Sequence, residues 1–208
     1  MRPRVTLKLA TSLDGRIAMA SGESQWITGA ESRLQGHRLR AAHAAIMVGV
    51  ETVLCDNPQL NVRVPDEQHP DPLRVVLDSR LRTPVDARVL TGALVLTTAE
   101  PVALGDAEVV RVEADGQGRP DPAAVLAALA DRNITSVLIE GGGRVAASFV
   151  KAGLVDVIEW FRAPVLLGHE GRPAVADLGF DRLSDTPRFK RLAVSPLGDD
   201  LWERYEKA

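Results

Sequence analysis

Short apolar runs alternate with helix-like stretches along most of the chain. Runs rich in β-branched residues predict strands over residues 5–10, 44–49, 73–78, 93–98, 108–112 and 137–140. Strands that are apolar throughout, and that alternate with helices, are typical of a mostly parallel sheet covered on both faces. The pattern therefore predicts an α/β fold with a mostly parallel central sheet flanked by helices.

Two polar signals predict where helices begin. Thr28 and Glu31 form a capping-box pattern, with Thr28 as the N-cap and Glu31 at N3 of a helix that runs to about Ala41. Asp121 and Pro122 suit the N-cap and N1 positions of a second helix. Both side-chain caps would bind backbone N–H groups that a helix leaves free in its first turn.

The last part of the chain is β-rich. Strands are predicted over residues 155–163, 189–196 and 200–205, and the last two form an antiparallel hairpin. Residues 65–72 hold three prolines and several charges, but strand-like sequence resumes directly after them. This stretch is therefore a surface loop, and one domain spanning residues 1–208 is expected.

Composition excludes several classes of protein. Apolar residues make up 45% and charged residues 25% of the chain, as in ordinary soluble globular proteins. The net charge of −3 gives no basic footprint for nucleic acid, and no apolar run is long enough to span a membrane. The N-terminus has no signal-peptide pattern, and Cys55 is the only cysteine, so a cytoplasmic protein without an internal disulfide is expected.

Metal chemistry is not expected from the residues present. The four histidines share no metal-ligand spacing, and the chain has no cysteine pair. A zinc nucleobase deaminase needs two cysteines in addition to a histidine. No bound metal is therefore expected.

A run of three glycines follows the strand that ends at Glu140. Gly141, Gly142 and Gly143 lead from this strand into a helix over residues 145–151. Such a turn exposes backbone N–H groups at the positive end of a helix dipole, where phosphate binds well. The Glu140 carboxylate points into the same crevice at the strand end. A tight strand–helix turn without a ligand would have the same pattern.

Thr52 and Asp56 follow the strand that ends at Gly49. They are four residues apart and therefore lie on one face of a single helical turn, at the carboxyl edge of the sheet. Asn57 and Pro58 stop that turn, because a residue before proline avoids the α region. The segment is either part of a ligand site or an Asx–Pro turn that caps a short helix.

Ser79, Arg80 and Arg82 come directly after another strand. Their hydroxyl and guanidinium donors suit a phosphate monoester such as the 2′-phosphate of NADP. A solvated charged turn is the other interpretation.

Three further side chains have open roles. Lys8 interrupts an apolar strand, so it either pairs with Glu140 at the floor of a cleft or faces solvent on an edge strand. Trp26 either contacts a cofactor or anchors the core. Arg38 and Arg40 are two residues apart on a helix, so at most one points into a cleft.

The order of these motifs resembles that of the riboflavin-biosynthesis pyrimidine reductases over nearly the whole chain. The matching segments are Thr6 to Ala18, Gly22 to Thr28, His37 to Arg40, Thr52 to Leu54, Asp56 to Pro58, Val76 to Ser79, Ile139 to Gly142, Ala152 to Asp156 and Ala163 to Gly168.

The resemblance implies a dihydrofolate-reductase-like fold and NADPH as the hydride donor. In this family the ribosyl chain of 5-amino-6-(5-phosphoribosylamino)uracil becomes a ribityl chain. In many bacteria the reductase follows a zinc deaminase on one polypeptide. The present sequence begins at the reductase motif, so a reductase without a deaminase domain is expected, either stand-alone or the C-terminal half of a longer protein, with a possible separate deaminase as partner.

The family pattern also implies site residues. NADPH contacts are implied for Ala10, Trp26, Thr52, Asp56, Ser79 and the loop Gly142, Gly143, Arg144, Val145, Ala146, Ala147 and Ser148. Substrate contacts are implied for Ser24, Arg40, Leu60, Arg63 and Glu140. The sequence departs from many relatives at residues 142–144, where they have Gly-Pro-Thr; Gly143 is expected only to add conformational freedom.

Physical chemistry suggests roles for the charged members. Arg40 and Arg63 could hold the substrate phosphate through charge-assisted hydrogen bonds. Negative charge that develops on the imine nitrogen of the ring-opened substrate needs a proton or a cation. Lys8, Asp56 and Glu140 are the catalytic candidates, with Lys8 and Glu140 first.

The sequence is also compatible with two other functions and indicates how the protein assembles. A pterin reductase of the same fold, or a non-catalytic NADP-binding module, would share many of these motifs. A homodimer is expected because residues 155–161 and 192–202 are more apolar than one compact domain needs to bury.

Overall fold

The computed structural model describes all 208 residues and contains eleven strands and four helices. The strands are β1 (Arg4–Thr11), β2 (Arg16–Ala18), β3 (Ala45–Gly49), β4 (Leu73–Leu77), β5 (Leu94–Thr97), β6 (Glu108–Arg111), β7 (Ser136–Ile139), β8 (Val157–Arg162), β9 (Arg172–Pro173), β10 (Phe189–Leu197) and β11 (Asp200–Lys207). The helices are α1 (Ala30–Ala41), α2 (Val50–Asp56), α3 (Pro122–Ala130) and α4 (Gly143–Lys151).

Nine strands form one sheet in the order β10-β11-β8-β1-β7-β3-β4-β5-β6. The strands from β8 to β6 in this order are parallel, whereas β11 joins β8, and β10 joins β11, in antiparallel pairs. The predicted parallel sheet and C-terminal hairpin are therefore confirmed. The short antiparallel pair β2–β9 was not predicted, because two or three residues carry no periodic signal.

The sheet is covered on both faces, as its apolar strands require. Alternate residues of one strand face opposite sides: Met47 of β3 packs with α3 and α4, while Ile46 packs with Val53 of α2. On the α2 side, Leu39 of α1 packs on Leu138 of β7. The carboxyl ends of β1, β3 and β7 consequently meet at one edge, between α1, α2 and α4.

Helix α1 begins differently from the prediction. Its N-cap is Gly29, and the Thr28 side chain makes no capping hydrogen bond, so the capping-box prediction is wrong. Asp200, at the start of β11, accepts hydrogen bonds from the Gly29 amide at 2.7 Å and from the Ser32 hydroxyl at 2.6 Å. A carboxylate from the other end of the chain thus replaces the local cap. The Asp121 cap and Pro122 at the start of α3 are confirmed.

The C-terminal apolar segments differ in burial. Strand β8 lies between β1 and β11 and is largely buried, so residues 157–161 leave no surplus apolar surface. On the edge strand β10, by contrast, Leu192 and Val194 are each 45% exposed. Of these C-terminal segments, it is therefore β10 and its neighbour Leu201 that leave apolar surface exposed.

No helix in this structure combines the length and the apolar character that crossing a membrane would require.

Candidate active site

Two adjoining cavities open at the carboxyl edge of the sheet. The smaller has a volume of about 280 Å³ and the larger about 660 Å³. Five residues line both cavities: Ile17, Ser24, Thr52, Asp56 and Gly142. Two ligands, one in each cavity, would therefore both contact these five shared residues.

The glycine turn forms the wall between β7 and α4. Gly141 has a φ of +117° and Gly142 a φ of +85°, conformations that side chains with a Cβ rarely adopt. A Cβ on Gly141 would also lie 3.1 Å from the Thr52 Oγ1 atom of α2. The turn therefore requires glycine at both positions.

The beginning of α4 fits a phosphate group. The backbone N–H groups of Gly142, Gly143 and Arg144 donate to no acceptor within the protein, and the first turn contains no acidic residue. These free donors lie at the positive end of the helix dipole and beside the larger cavity. The residues present thus fit the pyrophosphate of a dinucleotide.

Gly143 has a structural role that the sequence did not reveal. A Cβ at this position would lie 2.5 Å from the carbonyl oxygen of Pro173. The Gly143 carbonyl also accepts a hydrogen bond from the Ala176 amide at 2.9 Å. The expectation that Gly143 only adds freedom is wrong, because the segment packed on it leaves no room for a side chain.

Glu140 lies at the centre of a buried ion cluster. Its two carboxylate oxygens accept hydrogen bonds from Nε and Nη2 of Arg40, each at 2.8 Å. Lys8 Nζ lies 3.9 Å from Glu140 Oε2. Burial by itself would raise the pKa of Glu140, but the charges of Arg40 and Lys8 and the hydrogen bonds from Arg40 lower this pKa to about 2. Glu140 is therefore a permanent anion at neutral pH.

Lys8 lines the smaller cavity from the centre of the sheet. Strand β1 lies between β7 and β8, so the edge-strand interpretation of Lys8 is wrong and the pairing with Glu140 is confirmed. The ammonium group also lies 5.9 Å from the centroid of the Phe161 ring. Its aliphatic stem is covered while the charged end reaches the cavity.

Arg40 and Arg63 lie on either side of His37. Arg40 points inward, and its Nη1 donates to the Asn61 carbonyl at 3.0 Å, whereas Arg38 is exposed. The Arg63 amide donates to His37 Nδ1 at 3.2 Å. Burial and the charges of Arg40 and Arg63 lower the pKa of His37 to about 4. His37 is therefore a neutral acceptor between two guanidinium groups near pH 7.

Trp26 and Arg33 form the mouth of the smaller cavity. The Trp26 ring is 69% exposed, so the core-anchor interpretation is wrong. The Arg33 guanidinium lies 4.6 Å from the ring centroid and donates to the Thr28 carbonyl. Sequence reasoning missed Arg33, although it lies two helical turns before Arg40 and hence on the same face of α1.

The geometry agrees with what known proteins show. Residues 3–202 match the family described as the RibD C-terminal domain. The chain belongs to this family. It is 37% identical to the riboflavin biosynthesis protein RibD of Bacillus amyloliquefaciens over 96% of the chain and 56% of that protein. It is 38% identical to the 2,5-diamino-6-ribosylamino-4(3H)-pyrimidinone 5′-phosphate reductase of Methanothermobacter thermautotrophicus, over 99% of the chain and 98% of that protein.

Solved structures give the same picture. Acinetobacter baumannii RibD superimposes with a TM-score of 0.85 at 35% identity, over 100% of this chain and 58% of that one. The dihydrofolate reductase of Enterococcus faecalis superimposes with a TM-score of 0.58 at 14% identity, over 98% of this chain and 96% of that one, and so shares the fold. The chain spans little more than half the length of the RibD proteins that it matches.

The structure brings most residues of the RibD-family pattern to the two cavities. The smaller cavity is lined by Lys8, Ala10, Ser24, Trp26, Thr52, Asp56, Glu140, Gly142 and Ala146. The larger cavity adds Gly143, Arg144 and Val145. Partial burial raises the pKa of Asp56, and the charge of Arg172 partly offsets this.

Other members of the pattern, Arg40 among them, lie outside the two cavities. Leu60 is buried in the core, and Arg63 is exposed beside His37. Ser79 lies outside the larger cavity, where its carbonyl accepts a hydrogen bond from Thr98, and Arg80 is exposed. Instead, Arg82 lines the larger cavity, paired with Glu51.

The last two residues of the implied cofactor loop belong to the body of α4. Ala147 is buried, and the Ser148 hydroxyl donates to the Val145 carbonyl. Neither lines a cavity. Cys55 and Arg172, to which sequence reasoning gave no role at a site, also line the larger cavity. Cys55 directly precedes Asp56 in the segment that starts at Thr52, whereas Arg172 lies in no motif whose spacing could have indicated a site.

Proposed function

We propose that this chain is an NADPH-dependent reductase that converts the ribosyl chain of 5-amino-6-(5-phosphoribosylamino)uracil into a ribityl chain. One observation carries the proposal: a cavity with a phosphate cradle adjoins a smaller cavity with a buried ion cluster, and both share Thr52, Asp56 and Gly142. This arrangement suits a dinucleotide and a small polar substrate whose reacting atoms meet at the shared wall. The name of the Methanothermobacter relative, which aligns over almost its full length, supports the same reaction class.

NADPH occupies the larger cavity, and its nicotinamide supplies the hydride when bound. The free amides of residues 142–144 hold the pyrophosphate. The loop that follows β4, with Ser79 and Arg80, binds the 2′-phosphate by charge-assisted hydrogen bonds, which contribute about 1.5–3 kcal/mol each. The position of Arg82 at the larger cavity supports this orientation of the cofactor.

The phosphorylated pyrimidine occupies the smaller cavity, between Trp26, Ser24 and Glu140. The backbone at Leu60 and the guanidinium groups of Arg40 and Arg63 bind its phosphate. Lys8 donates the proton that the imine nitrogen needs when its carbon receives the hydride. Because Glu140 stays ionised, it orients Lys8 and accepts a hydrogen bond from the substrate instead of acting as the acid. Asp56, which lines both cavities, positions the nicotinamide ring relative to the substrate.

Turnover assays test the proposed substrate. We expect NADPH oxidation, followed by absorbance, with the phosphoribosylaminouracil or with its non-deaminated pyrimidine precursor, and none with dihydrofolate. Rapid turnover of dihydrofolate alone would establish a pterin reductase. Tight NADPH binding without oxidation of either pyrimidine would establish a non-catalytic module. Arg40 and Arg63 argue against a pterin site, because two guanidinium groups suit a phosphorylated substrate.

Cofactor preference tests the 2′-phosphate site. NADPH should be strongly preferred over NADH in the wild-type protein. Combining Ser79→Ala with Arg80→Ala should reduce this preference, mainly by raising KM for NADPH. If the double variant kept the wild-type preference for NADPH over NADH, other residues would have to bind the 2′-phosphate.

We further propose that the enzyme acts as a homodimer in the cytoplasm and that a deaminase produces its substrate. The exposed apolar residues of β10 support the dimer.

A further inference from the structure

A short segment, residues 171–176, crosses the glycine turn and is called the strap here. Its residues Arg172 and Pro173 form β9, which pairs with β2, and the Ala174 amide donates to the Gly15 carbonyl at 3.0 Å. At its other end the Ala176 amide binds the Gly143 carbonyl at 2.9 Å. The strap is therefore fixed both to the loop after β1 and to the first residue of α4.

Arg172 extends from the strap along the wall of the larger cavity. Its Nη1 atom lies 3.9 Å from the Cys55 sulfur of α2. Its Nη2 atom lies 3.0 Å from the point where a Cβ on Gly22 would be, so a side chain at residue 22 would crowd this guanidinium. It forms no ion pair within 4 Å, although its charge partly offsets the rise that burial causes in the pKa of Asp56. Arg172 therefore brings to the larger cavity a positive charge without an ion-pair partner, with Asp56 as a more distant counter-charge.

Arg144 brings a second positive charge without an ion-pair partner to the same cavity. It is the second residue of α4, where a cation is unfavourable because the helix dipole is positive at this end. It is exposed, lines the larger cavity and has no acidic partner. Local rules are broken mainly where function compensates for the cost. A bound polyanion would compensate for it here.

We propose that Arg172 of the strap and Arg144 of α4 form a clamp on the pyrophosphate of the cofactor. This inference rests on the proposed function. The free amides of residues 142–144 place the pyrophosphate at the beginning of α4, where the strap is attached. Arg82, the third arginine of the cavity, lies beside Leu77 at the end of β4 and is already paired with Glu51. The clamp therefore binds a group that NADPH and NADH share.

Binding measurements on Arg172→Met and Arg144→Met test the clamp. Methionine keeps most of the aliphatic packing and removes the charge. Each substitution should weaken the binding of both NADPH and NADH about tenfold to a hundredfold, as expected for a hydrogen bond to a charged group. The NADPH/NADH ratio should stay constant. Dissociation constants come from cofactor fluorescence or calorimetry, and binding by each variant should also depend less on salt.

Arg111→Met provides a matched control. Arg111 is an exposed arginine on β6, paired with Glu100 and outside both cavities, so its loss should leave both dissociation constants unchanged. Thermal melting of each variant shows whether the fold is kept. If Arg172→Met unfolds at a lower temperature than the wild type, Arg172→Lys is measured in its place. Lysine keeps the charge but lacks the planar guanidinium. The affinity of Arg172→Lys for both cofactors should therefore lie between those of the wild type and Arg144→Met.

Two results would overturn the clamp. Wild-type affinity for both cofactors in folded Arg172→Met would show that the strap does not bind phosphate. If the substitutions weakened the binding of NADPH but not of NADH, the arginines would bind the 2′-phosphate instead of the pyrophosphate. If the wild-type protein bound neither cofactor, the proposed function itself would be wrong. This result is distinct from a failure of the clamp, which is measured only by comparing the variants with the wild type.

Discussion

Glu140 shows how one residue can link the two cavities. It is the last residue before the glycine turn, so its backbone leads to the free amides of α4 beside the larger cavity, while its carboxylate lines the smaller cavity. Arg40 binds both carboxylate oxygens, and Lys8 lies on the side of the cavity. The cluster holds the ammonium of Lys8 at the smaller cavity, as the proposed proton transfer requires.

Glu140→Gln should reduce kcat/KM about tenfold to a thousandfold, because the neutral amide no longer orients Lys8 or the substrate. It also leaves the Arg40 guanidinium partly buried without its anion, which should cost about 3–5 kcal/mol of folding stability. NADPH affinity should change little, since the amides of α4 remain. Steady-state kinetics, melting and NADPH binding check these three effects. If Glu140→Gln kept nearly wild-type turnover, the role of Glu140 would be purely structural.

The lowered pKa of Glu140 also predicts how stability depends on pH. The group is more acidic in the folded protein than in the unfolded chain, so the unfolded state binds the proton first as pH falls. Its contribution is complete above about pH 4.5 and is lost on acidification towards about pH 2. Wild type should therefore lose on the order of 3 kcal/mol more than Glu140→Gln over this range. Denaturant unfolding at each pH measures the difference; parallel curves would contradict it.

Cys55 offers a chemical probe of the larger cavity. It is exposed, lines the cavity and is the only cysteine, so alkylation reports on one place. Saturating NADPH should slow its alkylation by iodoacetamide at least several-fold, because the bound cofactor covers the thiol. Mass spectrometry of the labelled protein measures the rate, with dihydrofolate as the control ligand. Equal rates with and without NADPH would place the cofactor elsewhere.

At the scale of elements, α1 depends on the C-terminal hairpin. Its first amide and the Ser32 hydroxyl bind Asp200, which begins β11. The helix that carries Arg33, His37 and Arg40 is thus positioned by the hairpin. Damage to the hairpin would therefore reach the smaller cavity through α1.

Asp200→Ala should destabilise the protein by about 1–3 kcal/mol, because it removes a buried cap and leaves its donors without a partner. Thr28→Val is the matched control: it removes the hydroxyl that the capping-box pattern assigns to the N-cap and keeps the shape. Since Thr28 makes no capping bond, this control should change stability little. Denaturant unfolding compares the two. A larger loss of stability in Thr28→Val than in Asp200→Ala would show that the Thr28 side chain caps α1 after all.

At the scale of the whole molecule, β10 is an open edge of the nine-stranded sheet. Leu192, Val194 and Leu201 are all more than a third exposed, and unpaired edge strands tend to associate. We expect a homodimer by light scattering at micromolar concentration, with β10 at the interface. Val194→Glu should produce monomers, whereas Val85→Glu, at an exposed apolar residue far along the chain from β10, should not. A wild-type monomer would contradict the expectation.

The sequence by itself determined the parts of this protein that depend on local rules. Continuous apolar runs predicted the parallel strands, and the last two runs predicted the antiparallel hairpin. The three glycines marked the strand–helix turn, because φ values such as those of Gly141 and Gly142 exclude most other residues. The position of Lys8 within an apolar strand marked it as unusual but left open whether it pairs with Glu140 or faces solvent. These features follow from a few neighbouring residues and their backbone preferences.

Only the tertiary structure decided the contacts between distant parts of the chain. Arg40 meets Glu140 across 100 positions, and Asp200 reaches Gly29 across 171. The strap excludes a side chain at Gly143 and brings Arg172 to the larger cavity, although no spacing in the sequence connects these residues. Such partners are chosen by how strands and helices pack, and the energy of a buried charge or a free amide depends on that packing rather than on sequence neighbours.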